Sequence, residues 1–197
     1  MAQRYKQYVV KYFEEIKHII ATIETNHIEQ MAEKIEEIKT KNQRLFVFGV
    51  GGSAANASHA VNDFRKILGI ECYSALDNVS ELTARINDDG WDTSLVNWVT
   101  VSKLNSSDNI LIFSVGGGSD TTSQNLVQLM RYAKEVGASI LSIVSRDGGY
   151  AKEFSDICVQ VPVVCESRTT PHAEEWQGIL WHMLVSAVVE AETKNED

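Results

Sequence analysis

Two stretches of the sequence with helical spacing carry imidazole and carboxylate groups that suit acid–base chemistry. His59 and Asp63 are four residues apart, so a helix places them on one face. Glu174 and His182 lie near the C-terminal end of the chain, beside an apolar stripe. A base and an acid held close together can move a proton between neighbouring carbons, as aldose–ketose isomerisation requires. An isolated histidine near an apolar stripe is more often structural, so its neighbours must decide its role.

The same side chains also suit a metal ion. Two imidazole nitrogens and two carboxylates are a donor set that Zn²⁺ accepts. They come from His59, Asp63, Glu174 and His182. Proton transfer and metal binding are therefore alternatives at these positions.

A glycine-rich run lies where a short apolar stretch gives way to helical spacing. It extends from Gly49 to Ala54, and its candidate ligand-binding residues are Gly51, Gly52 and Ser53. Glycines let a ligand approach the backbone, and the start of a helix offers free N–H groups to a phosphate. The run also fits the G-x-G-x-x-A pattern of dinucleotide-binding loops, with Asp77 as the acid that such a fold requires. A tight turn that binds nothing is the third interpretation.

A second run, Ser114–Ser123, is rich in glycine and hydroxyl residues. Gly116, Gly117 and Gly118 precede Ser119, and such a backbone can form a concave nest for an anion. A flexible surface loop is the alternative interpretation. Neither run contains Lys or Arg, so a phosphate would be held by backbone N–H groups, hydroxyls and helix N-termini. The dinucleotide interpretation leaves the second run without a role.

The elements that must position these groups are two N-terminal helices followed by alternating strand and helix patterns. Apolar residues recur every three or four positions from Val9 to Ile23, and Asn26 is the predicted cap of a second helix. Continuous apolar runs then indicate strands buried on both faces of a parallel sheet. The predicted strands are Leu45–Val50, Glu71–Leu76, Asn109–Ser114, Ser139–Val144 and Ile157–Val161, and the predicted helices are Ala54–Leu68, Val79–Asn87, Thr93–Leu104, Ser123–Val136 and Pro171–Glu192. Both glycine-rich runs follow strands, so we expect them at the carboxyl edge of the sheet, where such sheets bind ligands.

Composition excludes several classes of protein. The 197 residues carry 18 Lys+Arg against 27 Asp+Glu, a formal net charge of −9, whereas a nucleic-acid-binding protein normally has a basic face. We expect no membrane span, because no apolar run approaches roughly 20 residues, and no signal peptide. Cys72, Cys158 and Cys165 form no CxxC pair, so we expect buried, reduced thiols in a cytoplasmic protein. The length and the presence of only two prolines favour one domain without a linker.

The ordered set of motifs resembles the SIS domain (sugar isomerase) family and, within it, the phosphoheptose isomerases. The resemblance is carried by GVGGSAANASHAVNDFRK, VSELTARINDDGW, the second glycine-rich run, VSRDGGY and HAEEWQGILWHML, over about residues 5–190. It implies a three-layer α/β/α sandwich of flavodoxin-like type, with a five-stranded parallel sheet preceded by helices. It also implies a homotetramer with sites between subunits, acting on a phosphosugar of heptose biosynthesis. The chain is then one SIS domain, with a helical oligomerisation segment at 1–43, the sandwich at 44–192 and a polar tail at 193–197.

The resemblance also implies roles for individual residues. Asp63 takes the position of the family's catalytic glutamate, and His182 that of its catalytic histidine. His59 matches a histidine of the same helix, and zinc occurs in some members at this group of positions. The other positions that match binding residues are Ser53 in the first run, the pair Asn87 and Asp88, Ser114 and Ser123 in the second run, and Glu174 in place of a glutamine.

Departures from the family pattern bear on activity. The usual S-T-S-G-N-S loop is replaced by the longer SVGGGSDTTS, in which Ser119, Thr121 or Thr122 would supply the missing hydroxyls. Asp63 is one methylene shorter than glutamate, and a displacement of about 1 Å can cost roughly a hundredfold in rate. Glu174 adds a second carboxylate beside Asp63, which would favour a metal or raise one pKa.

The leading hypothesis is a phosphosugar aldose–ketose isomerase that uses sedoheptulose 7-phosphate or a related ketose phosphate. It needs no cofactor, and zinc is an optional ligand. One alternative is a non-catalytic SIS sensor or adaptor that binds a phosphosugar or a protein partner. The other is a nucleotide-dependent oxidoreductase that uses the first glycine-rich run.

Overall fold

A five-stranded sheet with helices on both faces forms the centre of the protein. The structure is a computed structural model, which describes residues 4–195. The strands are β1 (Leu45–Phe48), β2 (Cys72–Tyr73), β3 (Asn109–Phe113), β4 (Ser139–Val144) and β5 (Ile157–Gln160). Their order is β2-β1-β3-β4-β5, and every neighbouring pair is parallel. The predicted α/β class and five-stranded parallel sheet are therefore confirmed.

The helices of the described residues follow the predicted alternation. They are α1 (Lys6–Thr22), α2 (Thr25–Thr40), α3 (Gly52–Lys66), α4 (Val79–Asp89), α5 (Ser94–Val101), α6 (Gln124–Val136), α7 (Gly149–Phe154) and α8 (Thr169–Asn195), with a short 3₁₀ turn at Glu166–Arg168. None of them is both long enough and apolar enough to cross a bilayer, within the residues that the structure describes.

The strands are apolar without interruption because both faces of the sheet are covered. In β3, Leu111 and Phe113 face a core shared with α2, α3 and α8. Ile110 and Ile112 face the opposite core, which they share with α5, α6 and α7. This arrangement is the predicted three-layer α/β/α sandwich.

The two N-terminal helices contribute unequally to the core. Met31, Ile35 and Ile38 of α2 are fully buried, whereas α1 buries little besides Ile19 and leaves most of its apolar stripe exposed. The predicted cap at Asn26 is wrong. The helix already begins at Thr25, because the chain is extended for only two residues after α1 and turns directly into α2.

Other differences from the predicted elements have local causes. The edge strand β2 is only two residues long and pairs with β1 at Cys72 and Tyr73. Helix α7 was not predicted, since six residues are too few to show a helical period. Helix α8 continues through residues 193–195 of the predicted polar tail, and residues 196–197 lie outside the described range.

The cysteines are all free, but only one of them is buried. Cys72 is covered by the core, whereas Cys158 on the edge strand β5 and Cys165 before α8 are partly exposed. The expectation of buried thiols is therefore wrong for two of the three, because their positions at the border of the sandwich lack a covering layer.

A buried carboxylate ties α1 to the start of α8. Glu15 accepts hydrogen bonds from Arg168 Nε at 2.7 Å and from His172 Nε2 at 3.0 Å. The hydrogen bonds from Arg168 are the main cause that lowers the pKa of Glu15 to about 2. The contact fixes the approach of the N-terminal helices to the last helix.

Glu15→Gln should lower the free energy of unfolding at pH 7 by about 2–3 kcal/mol, because Arg168 and His172 lose a charged partner in a largely buried site. The carboxylate has a lower pKa in the folded chain than the unfolded value of about 4.3. Its stabilising effect is therefore complete above the unfolded pKa and is lost as the pH falls towards 2. Urea unfolding between pH 7 and pH 2.5 should show the difference between wild type and variant shrinking below about pH 5.

Glu14→Gln is the matched control. Glu14 pairs with Lys17 on the exposed side of the same helix, and an exposed ion pair contributes about 0.5 kcal/mol or less. An equal loss of unfolding free energy in the two variants would show that the Glu15 contact stabilises the protein no more than an exposed ion pair does.

Candidate active site

The two glycine-rich loops lie side by side at the carboxyl edge of the sheet, as expected. The first follows β1 and the second follows β3, and these strands are neighbours in the sheet. The strand order reverses between them, since the chain adds β2 on one side and β3 on the other. Ligands of open α/β sheets bind at such a switch point.

A cavity of about 540 Å³ opens at the second loop. Loop residues on its wall are Ser114, Gly116, Gly118, Ser119, Thr122 and Ser123. The rest of the lining comes from the segments after β4 and β5, and consists of Arg146, Asp147, Gly149, Val163 and Glu166. Ser119 and Thr122, two of the residues expected to supply the missing hydroxyls, therefore both line the cavity.

The second loop is braced against the β4–α7 turn and is not a free surface loop. The amide of Ala151 donates to the Gly117 carbonyl at 2.9 Å, and that of Tyr150 donates to the Gly118 carbonyl at 3.2 Å. Gly117 has a φ of +71°, and a β-carbon there would overlap the Gly148 carbonyl. The amide of Gly117 in turn donates to Ser114 Oγ at 3.0 Å. The glycines therefore serve the packing of two loops as well as the shape of the cavity.

Gly117→Ala should destabilise the protein by about 2–4 kcal/mol more than Gly69→Ala, measured by urea unfolding. Both glycines have nearly the same left-handed φ, +71° and +70°, but a β-carbon at Gly69 would meet open space. The difference between the two variants then reports the backbone collision with Gly148 alone. A similar loss of unfolding free energy in both variants would contradict the close packing of the second loop against the β4–α7 turn.

Three of the predicted acid–base residues converge where α3 packs against α8. The Nε2 atom of His182 lies 3.8 Å from Oδ2 of Asp63. Each of His59, Asp63 and His182 offers a ligand atom, and these atoms all lie within 4.8 Å of one another. The side chain of Asp63 is 14% exposed and that of His182 is 55% exposed.

His182 was predicted at the border of the buried stripe of α8, but the structure places it on the exposed side. The Trp181 side chain is buried in the core. His182, the next residue along the helix, lies outside the core, and its side chain is 55% exposed. The imidazole stacks on the Trp181 ring with centroids 3.3 Å apart. Nδ1 of His182 lies 2.7 Å from the Gly178 carbonyl, which can only accept. Nδ1 therefore donates this hydrogen bond, and Nε2 is the nitrogen that faces Asp63.

Glu174 lies apart from this cluster, so the structure brings together three of the four proposed metal ligands. Its carboxylate sits against Gly52, where a β-carbon would overlap it. Asn56 Nδ2 donates to the Glu174 carbonyl at 2.8 Å and holds this turn of α8 against α3. The carboxylate is favourably placed at the N-terminus of α3, beside Gly51 and the buried Ser53.

Asn87 and Asp88 lie elsewhere. They occupy the exposed last turn of α4, where Asn87 Nδ2 donates to Asp88 Oδ1 at 2.7 Å. Neither residue is among those that line the second-loop cavity. The structure of one chain therefore does not bring this pair to the other candidate residues.

The cavity contains charged residues that the sequence analysis did not select. Arg146 and Asp147 belong to the VSRDGGY motif, directly after β4, and Glu166 precedes α8. A usable signal was present: the segment follows a third strand at the same carboxyl edge and contains a pair of glycines.

The cavity and the acid–base cluster are separate within one chain. Gly52 begins α3 and Asp63 follows eleven residues later, which corresponds to about 16 Å along the helix axis. The first glycine-rich loop lies at the start of α3, and the second lies beside it. His59 is at the middle of α3, and Asp63, which His182 approaches, is near its other end.

Comparison with known proteins identifies the family. The SIS domain family model matches residues 11–145. The phosphoheptose isomerase of Aneurinibacillus thermoaerophilus is 26% identical over 174 residues, covering 86% of this chain and 83% of the relative. That of Helicobacter pylori strain Shi470 is 30% identical over 152 residues, covering 74% of this chain and 73% of the relative.

The fold agrees with a solved structure of the same group. Phosphoheptose isomerase GmhA from Neisseria gonorrhoeae superposes with a TM-score of 0.82 over 96% of this chain and 98% of the other, at 20% sequence identity. The chain therefore belongs to the SIS domain family and is similar to its phosphoheptose isomerases.

Proposed function

We propose that the protein isomerises sedoheptulose 7-phosphate, or a related ketose phosphate, to the aldose phosphate. The observation that carries this proposal is the approach of Asp63 Oδ2 and His182 Nε2 to 3.8 Å. A carboxylate and an imidazole at this separation can act on neighbouring atoms of one substrate. The names of the relatives support a heptose phosphate as the substrate.

Asp63 is the base and His182 the partner acid in this proposal. Asp63 takes a proton from C1 of the ketose, the C–H electron pair forms the C1–C2 double bond, and the C2 oxygen takes a proton from His182 Nε2. The enediol then loses its O1 proton to His182, the C1 carbonyl forms, and Asp63 returns a proton to C2. Every proton removed is returned, so no redox cofactor is required.

The substrate phosphate belongs in the second-loop cavity. Ser114, Ser119 and Ser123 line this space, and α6 begins at the next residue, Gln124. Their hydroxyls and the free N–H groups at a helix N-terminus are suitable donors to a phosphate. The dinucleotide alternative gives this loop no role. Calorimetry with NAD(P) should show no binding.

Zinc remains an optional ligand in the proposal. His59, Asp63 and His182 supply two nitrogens and one carboxylate, which fits a zinc site with an open position. A bound zinc ion would polarise a substrate oxygen. The proton transfers above use only the side chains of the chain itself.

We also propose a cytoplasmic homotetramer of single SIS domains, with the active sites between subunits. The separation of cavity and acid–base cluster in one chain supports completion of each site by a second chain. Exposed apolar residues on α1 and α8, among them Phe13, Ile20 and Met183, support burial on assembly. Light scattering should report four times the mass of one chain.

The decisive experiment is incubation with a panel of ketose phosphates in deuterated water. Deuterium uptake at C1 or C2, together with formation of the aldose phosphate, is expected for the true substrate. The altered phosphate loop and Asp63 favour a second candidate, a non-catalytic phosphosugar sensor or adaptor. Tight binding of a ketose phosphate without any exchange of its C1 or C2 hydrogens would favour that candidate and exclude the isomerase.

A further inference from the structure

We propose that Arg146 binds the substrate phosphate in the second-loop cavity and supplies the positive charge that both glycine-rich loops lack. The inference rests on the proposed function, because its ligand is the phosphate of the same phosphosugar. It adds a residue that sets affinity for phosphorylated over unphosphorylated sugars.

Arg146 is positioned by the fold to reach this cavity. β4 ends at Val144, beside β3, so the segment that follows it faces the second loop. Arg146 lines the cavity together with Ser114, Ser119 and Ser123. Its Cδ would lie 3.7 Å from a β-carbon at Gly116, so the side chain runs along the glycine-rich loop.

The backbone of Arg146 is held in an uncommon conformation. Its φ is +51°, in the left-handed region that non-glycine residues seldom adopt. The side-chain amide of Gln160 on β5 donates to the Arg146 carbonyl and holds the turn. Such conformations persist where the surrounding structure enforces them, and they are enriched at functional sites.

The guanidinium group of Arg146 has no acidic partner among residues 4–195. Arg65 and Arg131 also lack one, but Arg65 donates to the Cys72 carbonyl and Arg131 lies over the Tyr150 ring, whereas three other arginines form ion pairs. Arg44 pairs with Asp108, Arg85 with Glu81 and Arg168 with Glu15. Arg146 forms no ion pair within the described part of the chain, so its charge is available to a ligand. A guanidinium group can donate two parallel hydrogen bonds to a phosphate.

The first loop is a poor place for a second anion, which strengthens the assignment of the phosphate to the Arg146 cavity. The carboxylate of Glu174 already covers Gly52 at the start of α3. A phosphate at that position would meet a like charge. The second loop contains Asp120, but its carboxylate accepts a hydrogen bond from the Tyr150 hydroxyl at 2.6 Å, and Asp120 does not line the cavity.

The rest of the cavity fits the sugar part of the ligand. Asp147 and Glu166 also line it, and their carboxylates can accept hydrogen bonds from sugar hydroxyls. With these two carboxylates present, the cavity without Arg146 would repel an anion. We therefore expect one phosphate group, next to Arg146, on a polyhydroxylated chain.

The test compares Arg146→Gln and Arg146→Lys with the wild type. Calorimetry with inorganic phosphate and with sedoheptulose 7-phosphate should show a 10- to 100-fold weaker affinity for Arg146→Gln, the usual cost of losing a charged hydrogen-bonding partner. The affinity of Arg146→Lys should lie between those of the wild type and Arg146→Gln, because lysine keeps the charge but not the paired donors. In turnover assays KM should rise by a similar factor while kcat changes less than about threefold, because the phosphate contact is the same in ground and transition states.

Lys103→Gln is the matched control, since Lys103 is also an exposed cation at positive φ, +57°, but lies before β3 at the opposite edge of the sheet. It should bind both probes as the wild type does. Wild-type affinity in Arg146→Gln, or an equal loss in Lys103→Gln, would overturn the proposal. If the wild type binds phosphate in an Arg146-dependent way but does not isomerise the sugar, the proposed reaction fails while the role of Arg146 stands.

Discussion

Asp63→Asn is expected to lower kcat for ketose phosphate isomerisation by about 10²- to 10⁴-fold, the usual contribution of a general base. The amide keeps the size and the hydrogen-bonding capacity of the side chain but cannot accept the C1 proton. Deuterium exchange at C1 and C2 should fall by the same factor, because exchange and isomerisation share this step. Far-UV circular dichroism and the urea midpoint should stay close to wild type, since the Asp63 side chain packs at the border of the core and not within it.

The control for this prediction is Asp92→Asn, which removes one negative charge from an exposed residue before α5. It should retain wild-type turnover. Asp63→Glu keeps a carboxylate, and we expect it to exceed Asp63→Asn in rate by at least about tenfold. Full turnover by Asp63→Asn would remove Asp63 from the mechanism.

The second large effect is expected for His182→Asn, with kcat lower by about 10²- to 10⁴-fold. The asparagine amide can still donate to the Gly178 carbonyl in place of Nδ1, but nothing replaces Nε2 as the proton-carrying atom that faces Asp63. Substrate affinity should change little, because the proposed phosphate contacts lie in the second-loop cavity.

His27→Asn tests whether loss of any imidazole has this effect. His27 is exposed on α2, away from Asp63, and its variant should be fully active. The double variant of Asp63 and His182 should be about as slow as the slower single variant, because residues that act in one step are not additive. If the fold-reductions in kcat of the two single variants multiply in the double variant, the two side chains act independently.

The sequence predicted the fold well because the relevant signals are local. The apolar run of β3 and the helical spacing of α6 depend on neighbours within a few residues, and both elements are present close to the predicted bounds. The errors lie where the local signal is short or absent. The helix α7 has only six residues, and the strand β2 has only two.

The candidate site could be predicted only in part. The spacing of His59 and Asp63 within one helix places both on one face, and the two glycine-rich loops follow strands that a parallel sheet brings to one edge. The spacing of residues in the sequence could not show that the Glu174 carboxylate would pack against Gly52. It also could not show that Arg146 would line the second-loop cavity without an acidic partner. These placements depend on which segments of the chain pack against each other.

Sequence alone therefore determined the class of fold, the two glycine-rich loops and the carboxylate–imidazole pair on α3. These features are specified by hydrophobic periodicity and by the positions of glycines, which are signals that extend over only a few residues. Tertiary structure alone decided that His182 Nε2 faces Asp63, that Glu174 lies outside this cluster, and that Arg146 lines the second-loop cavity. Each depends on the packing of α8 on α3, or of the β4–α7 turn on the second loop. Such contacts join residues that are distant in sequence, and only the folded core brings them together.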